Sequence, residues 1–240
     1  MRISESFYSI QGEGKSVGVP AVFLRLTGCN LTCSGFSYVL DGKALGCDTK
    51  AVWTKGEKVS CKDILDDWNK KGWIDALNRS AHLVITGGEP LIQQESIVEF
   101  LDELRKQCPD IFVEIETNGT ITPNSRLILH VQQFNVSPKL ANNGDSLEKR
   151  WKPDVLNAFV ELPASVFKFV VQSREDVLEI GSQFLKVFDV VRHRIWLMPE
   201  GGTNKDMMNK SDSVVELCKE FGFNFSPRLQ LTIWDQATGV

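Results

Sequence analysis

The sequence has no apolar run of membrane-spanning length, and its opening stretch, MRISESFYSIQGEGKS, has no long apolar core. Neither a membrane protein nor a secretory leader is therefore expected. Without a secretory route, the six cysteines are expected to stay reduced in a cytoplasmic protein rather than pair as disulfides. No C-x2-C knuckle is present, so the usual signature of four-ligand structural zinc is missing. There is no excess of positive charge: 31 acidic against 27 basic residues leave a net charge of -4, which gives no bulk electrostatic case for nucleic acid. None of the three histidines, His82, His130 and His193, stands in a motif. Internal repeats, low-complexity tracts and linker-like segments are also lacking, so one domain over residues 1–240 is expected.

What the chain does have is three cysteines near its start, Cys29, Cys33 and Cys47, followed by the run Thr86-Gly87-Gly88-Glu89-Pro90. Three thiolates can hold a 4Fe-4S cubane and leave one iron without a protein ligand, where a reactive cofactor can bind. Cys61, Cys108 and Cys218 are scattered in or beside expected helices and read as small buried hydrophobes. The six tryptophans read as core and helix-packing residues.

Apolar strands alternate with helical stretches, the rhythm of a parallel sheet covered by helices. Strands are expected at 20–26, 82–86, 111–117, 134–139, 165–172, 194–200 and 228–234. Helices are expected from Ser60 to about Leu77, over 94–107, from Arg174 to Phe188, and over 205–222. The fold expected is an α/β partial barrel of about six strand-helix units, with an enlarged loop at 28–50. In such sheets ligands collect at the carboxyl ends of the strands. Arg25, Cys29, Thr86, Gly87, Gly88, Glu116, Asn118, Ser137, Lys139, Gln172 and Pro199 all fall at or near such ends. The Gly87-Gly88 pair permits close backbone approach to a ligand, although a Gly-Gly pair alone is as often a plain turn.

The combination of Cys29-Asn-Leu-Thr-Cys33, Cys47-Asp-Thr and Thr-Gly-Gly-Glu-Pro resembles the radical S-adenosylmethionine (SAM) superfamily. Within it, Phe7-Tyr-Ser-Ile-Gln-Gly-Glu-Gly14, Gly18-Val-Pro-Ala-Val-Phe-Leu-Arg-Leu26, Glu116-Thr-Asn-Gly-Thr120 and Ser137-Pro-Lys139 are similar to the 7-carboxy-7-deazaguanine synthase family. The resemblance runs from residue 7 to the carboxyl end. It implies a (βα)6 radical-SAM-type barrel and a ring contraction of 6-carboxy-5,6,7,8-tetrahydropterin to 7-carboxy-7-deazaguanine, with loss of ammonia, on the route to queuosine and related deazapurines.

The resemblance also implies a division of labour. Cys29, Cys33 and Cys47 would ligate the 4Fe-4S cluster, and Thr49 would place its hydroxyl on Mg2+, a cation that prefers hard oxygen. Gly87, Gly88, Glu89, Glu116, Asn118, Ser137, Pro138 and Lys139 would bind SAM. Ile10, Gln11, Gly12, Arg25 and Thr86 would hold the pterin, with Val240 as a further contact. An arginine fork suits a carboxylate, so Arg25 fits a carboxylated substrate; without the resemblance it would read as a strand-end arginine paired to a surface acid. Gln11 offers a donor and an acceptor for an amide-like edge. Glu13 reads as fixing its loop or an arginine. The implied partners are a flavodoxin-like or other electron donor and a second copy of the chain in a homodimer.

One departure from the superfamily spacing stands out. Thirteen residues, Ser34 to Gly46, separate Cys33 from Cys47. A longer loop adds only a slowly growing closure cost, so three-point ligation remains feasible. Phe36, Tyr38 and Val39 are expected to offer a docking surface for the electron donor. The rival readings are a glycyl-radical-activating enzyme, which would need a protein substrate, and a non-catalytic iron-sulfur electron-transfer module, which would not need Gly87-Gly88 at a strand end.

Overall fold

The computed structural model describes residues 1–237 and 239–240. The chain opens with β1 (Arg2–Ile10), which runs antiparallel to β2 (Pro20–Leu26). The excursion that follows contains a small hairpin, β3 (Tyr38–Leu40) and β4 (Lys43–Gly46), then α1 (Lys50–Trp53) and β5 (Glu57–Lys58). From there helices and strands alternate. Helices α2 (Cys61–Lys70) and α3 (Trp73–Asn78) lead to β6 (His82–Gly87), and α4 (Gln94–Leu104) leads to β7 (Val113–Thr117). Helix α5 (Ser125–His130) precedes β8 (Gln133–Val136), and α6 (Leu147–Arg150) and α7 (Pro153–Val160) precede β9 (Ser165–Val171). Helix α8 (Arg174–Glu179) precedes β10 (Ile195–Pro199), and α9 (Asn204–Phe221) is followed by β11 (Asn224–Phe225) and α10 (Leu229–Trp234).

The nine-stranded sheet has the order β11-β10-β9-β8-β7-β6-β2-β1-β5. From β2 through β10 six strands lie parallel in chain order, which is the expected partial (βα)6 barrel; β1 and β5 close one edge antiparallel. Among the described residues no helix is long and apolar enough to cross a membrane.

Strand alternation sorts the side chains between two environments. Val22, Leu24 and Leu26 of β2, Leu83 and Ile85 of β6, Val113 and Ile115 of β7, and Phe167 and Phe169 of β9 join the core shared with the helices. The alternate positions turn into the barrel. Ala21, Phe23 and Val84 form a small inner cluster with Phe7, and Arg25, Thr86, Glu116, Asn135 and Lys168 reach the cavity above it. The polar residues in otherwise apolar strands are thus the ones that face the barrel interior.

Four elements differ from the sequence reading. The segment 228–234 is helical from Leu229, not a strand: β11 already occupies the edge beside β10, and Leu229 N donates to Gly12 O at 2.9 Å, folding the segment over the barrel mouth. A segment this short cannot be assigned by periodicity alone. The helix expected over 60–77 breaks at Gly72, whose φ of 73° is left-handed. The helix from Arg174 continues past Glu179 as a π-helical turn, Ile180–Leu185. Strand β1 was not anticipated; its polar residues interrupt any apolar run, and pairing with β2 holds it.

Candidate active site at the barrel mouth

A cavity of about 310 Å3 lies at the carboxyl ends of the parallel strands. Cys29, Cys33 and Cys47 border it together with Thr49, Ile10, Gln11, Gly12, Arg25, Thr86, Gly87, Gly88, Glu116, Asn118, Ser137, Lys139 and Val240. Glu89 and Pro138 are not on its wall. All six cysteines are unpaired. Among the described residues no three His, Cys, Asp or Glu side chains stand close enough to hold a single metal ion, so the three thiols share the cavity without converging on one point.

The first two thiols are set by loops that brace one another. Glu89 N donates to Gly28 O at 2.8 Å, bringing the Gly87-Gly88 turn against the cysteine loop. A Cβ on Gly88 would stand 2.5 Å from that of Cys29, so only glycine fits. Cys33 takes a left-handed φ of 48°. Asp145 supports this bend, accepting from Cys33 N at 2.9 Å, Thr32 N at 3.0 Å and Thr32 Oγ1 at 2.7 Å. Burial pushes the Asp145 carboxyl up, but those donors outweigh it and hold it low. Leu31 N donates to Cys29 Sγ at 3.5 Å and Asn143 Nδ2 to Cys33 Sγ at 3.6 Å. Burial raises both thiols, that of Cys29 to about 11. Cys47 Sγ stands 3.5 Å from Thr49 Oγ1.

Behind this wall the sequence motifs tie to one another. Glu89 is fully buried and accepts from Asn118 N at 2.7 Å, Thr117 Oγ1 at 2.9 Å and Leu91 N at 3.0 Å. Burial outweighs these donors and pushes its carboxyl up to about 6. Asn118 Nδ2 donates to Asn30 Oδ1 at 2.9 Å, and Asn30 Nδ2 donates to Thr120 Oγ1 at 2.8 Å. The Cys29-to-Cys33, Gly-Gly-Glu-Pro and Glu-Thr-Asn-Gly-Thr segments therefore form one braced unit. Lys139 Nζ donates to Ser137 O and Oγ, both at 2.9 Å.

The opposite wall is a polar chain. Glu116 accepts from Thr86 Oγ1 at 3.0 Å and from Gln11 Nε2 at 3.2 Å, and Gln11 Oε1 accepts from Glu13 N at 3.2 Å. Gln11 is only 2% exposed, so its amide is committed to Glu116 and Glu13, leaving one N–H. Arg25 Nε donates to Glu5 Oε1 at 2.8 Å, across the β1–β2 register. Its other guanidinium nitrogens make no protein hydrogen bond among the described residues, and the residue borders the cavity.

Sequence reasoning did not single out Asp145, Asn143, Lys168, Arg228, Gln230 or Glu200. Glu13, expected to fix a loop or an arginine, receives Lys168, Arg228 and Gln230. Burial raises its carboxyl, yet the two cations hold it at about 2. Lys168 carried a signal, as the lone charge in the apolar strand SVFKFVV. Arg228 carried none, because its segment was read as a strand. Tyr38, expected on a docking surface, is instead 6% exposed and packs on Gly202; Val39 remains exposed.

An open parallel (βα)6 sheet with three thiols and a Gly-Gly turn at its carboxyl ends defines a radical-SAM-type barrel. A model of the 4Fe-4S single cluster domain matches residues 10–155. The chain is 33% identical to the 7-carboxy-7-deazaguanine synthase of Pyrobaculum aerophilum, over 100% of this chain and 97% of that protein. It is 32% identical to that of Halobacterium salinarum, over 98% and 91%. The crystal structure of QueE from Escherichia coli superposes with a TM-score of 0.67 at 25% identity, covering 95% of this chain and 93% of that one. The chain belongs to the 7-carboxy-7-deazaguanine synthase family.

Proposed function

We propose that this chain is a 7-carboxy-7-deazaguanine synthase, converting 6-carboxy-5,6,7,8-tetrahydropterin to 7-carboxy-7-deazaguanine with loss of ammonia in queuosine and 7-deazapurine biosynthesis. The observation that carries the reading is the convergence of three free thiols, the braced Gly87-Gly88 turn and the Arg25 guanidinium on one cavity. The donor set suits the cluster, because thiolate is the ligand iron-sulfur clusters take and two of the sulfurs already receive N–H donors. When bound, the 4Fe-4S cluster and SAM would supply the radical that starts the ring contraction.

Cys29, Cys33 and Cys47 would hold the cluster, and Thr49 would offer its hydroxyl to Mg2+. Gly87, Gly88, Asn118, Ser137 and Lys139 would bind SAM, with Glu89 fixing the shape of that wall from behind and Pro138 shaping the segment between Ser137 and Lys139. Arg25 would bind the substrate carboxylate through its unengaged nitrogens while Glu5 holds the guanidinium plane. Glu116 would orient Gln11 and Thr86 toward the pterin, and Ile10, Gly12 and Val240 would bound it. We read residues 1–240 as one radical SAM domain in a cytoplasmic homodimer served by a flavodoxin-like or other electron donor.

The test is anaerobic reconstitution with iron and sulfide, then reduction with SAM, Mg2+ and the carboxylated tetrahydropterin, with mass spectrometry of the products. Formation of the deazaguanine with little net loss of SAM is expected. Release of 5'-deoxyadenosine without the deazaguanine would discard this substrate, and no SAM cleavage by the loaded protein would discard the radical reading.

A further inference from the structure

The excursion between Cys33 and Cys47 is fastened to the protein at both ends, and both fastenings meet at one turn, Glu200-Gly201-Gly202, just past β10. At the near end Ser37 N and Oγ donate to Glu200 Oε1 at 2.9 and 2.7 Å. Glu200 is 4% exposed, and Lys210 holds its other oxygen. Tyr38 lies on Gly202, where a Cβ would come 2.7 Å from its ring. At the far end Asp48 pairs with Arg228, whose guanidinium also bonds Gly201 O and, at 3.3 Å, Glu13 Oε1.

We propose that Glu200 and Arg228 are positioning residues that deliver the third thiol to the cluster by pinning Ser37 and Asp48 to the 200–202 turn. The inference rests on the assignment of Cys29, Cys33 and Cys47 as cluster ligands. A free excursion of this length would let Cys47 sample many positions, and binding three corners of one cluster would have to pay that ordering entropy. Pinning Ser37 and Asp48 spends it on folding instead. Arg228 suits the role because a planar fork can hold Asp48, Glu13 and a carbonyl in one fixed geometry, which a lysine cannot. Asp48 is the immediate neighbour of Cys47, so displacement of one moves the other.

The variants Asp48→Ala and Ser37→Ala change loop positions that are not buried, and both should melt as wild type does before reconstitution. After anaerobic reconstitution, chelator-driven iron loss is followed by the cluster's visible absorbance, and the reduced cluster by electron paramagnetic resonance. Asp48→Ala should lose iron about tenfold faster than wild type, the effect of about 1.4 kcal/mol of lost preorganisation, with an altered spectrum, and Ser37→Ala, which keeps the main-chain donor to Glu200, should lose it faster by a smaller factor. Cys108→Ala, a core change distant from the turn, should lower the melting temperature and leave the chelation rate unchanged, which separates positioning from general destabilisation. Wild-type rates and spectra in both loop variants would overturn the proposal. Retention of wild-type iron by Cys47→Ala would overturn it through its premise, the ligand assignment itself.

Discussion

The six cysteines form two sets in two environments, and burial does not distinguish them. Burial pushes the thiols of Cys29 at the barrel mouth and Cys218 in α9 to the same value, about 11. What differs is the chemistry around sulfur. At the mouth, Cys29 and Cys33 accept from N–H groups and border the cavity. In the shell, Cys108 Sγ donates to Ile74 O at 3.8 Å and Cys218 Sγ to Asn224 O at 3.4 Å. The shell sulfurs also receive N–H donors, from Asn78 and Leu197, so the sets differ by the carbonyl acceptor and the cavity, not by the donor. One set borders the cavity in which we propose the cluster binds, and in the other Cys108 and Cys218 donate to backbone carbonyls in the shell.

The sharpest way to break this comparison is Cys47→Ala, which is expected to abolish cluster assembly as read by iron content and visible absorbance after reconstitution. Second comes Arg25→Ala, on the wall opposite the thiols. Truncating a charge that would pair with substrate should lower kcat/KM about 100-fold or more while iron loading stays intact.

Glu89 sharpens the contrast between burial and partners. Glu89 is fully buried behind the wall and Glu13 half-buried on it, but Glu13 faces two cations and is held at about 2, while Glu89 faces neutral donors and rises to about 6. Because its folded value lies above its ordinary 4.5, Glu89 contributes stability that is complete below pH 4.5 and is lost as pH rises through 6. Denaturant titrations of the cluster-free chain should show about 2 kcal/mol of this loss, and Glu89→Gln should flatten the slope in that window.

The smallest effects belong to the shell. Cys108→Ala should cost about 1 kcal/mol of stability in denaturant melts with iron content unchanged. Cys61→Ala, at the less buried start of α2, should alter neither measurably.

Residues that declare their environment locally were legible in the sequence. Strand β2 was read at its observed bounds, 20–26, because a run of apolar residues bounded by Pro and Gly has no helical competitor. Helix α9 was read to its Gly222 stop, which adopts φ 71°. The strand-end rule brought Arg25, Thr86, Glu116 and Ser137 to one cavity, since parallel strands necessarily present their carboxyl ends on one side. Asp145 and Arg228 were not legible, because their partners lie 113 and 180 positions away and nothing local marks them.

The sequence by itself determined the parallel βα rhythm, the three thiols and the Gly-Gly turn, because period, spacing and residue chemistry are local properties. Tertiary structure alone decided that 229–234 is a helix over the mouth, that Gln11 is spent on Glu116, and that Arg228 reaches Asp48. Those outcomes depend on which groups meet across long separations, and only the packing of the folded partial barrel sets that.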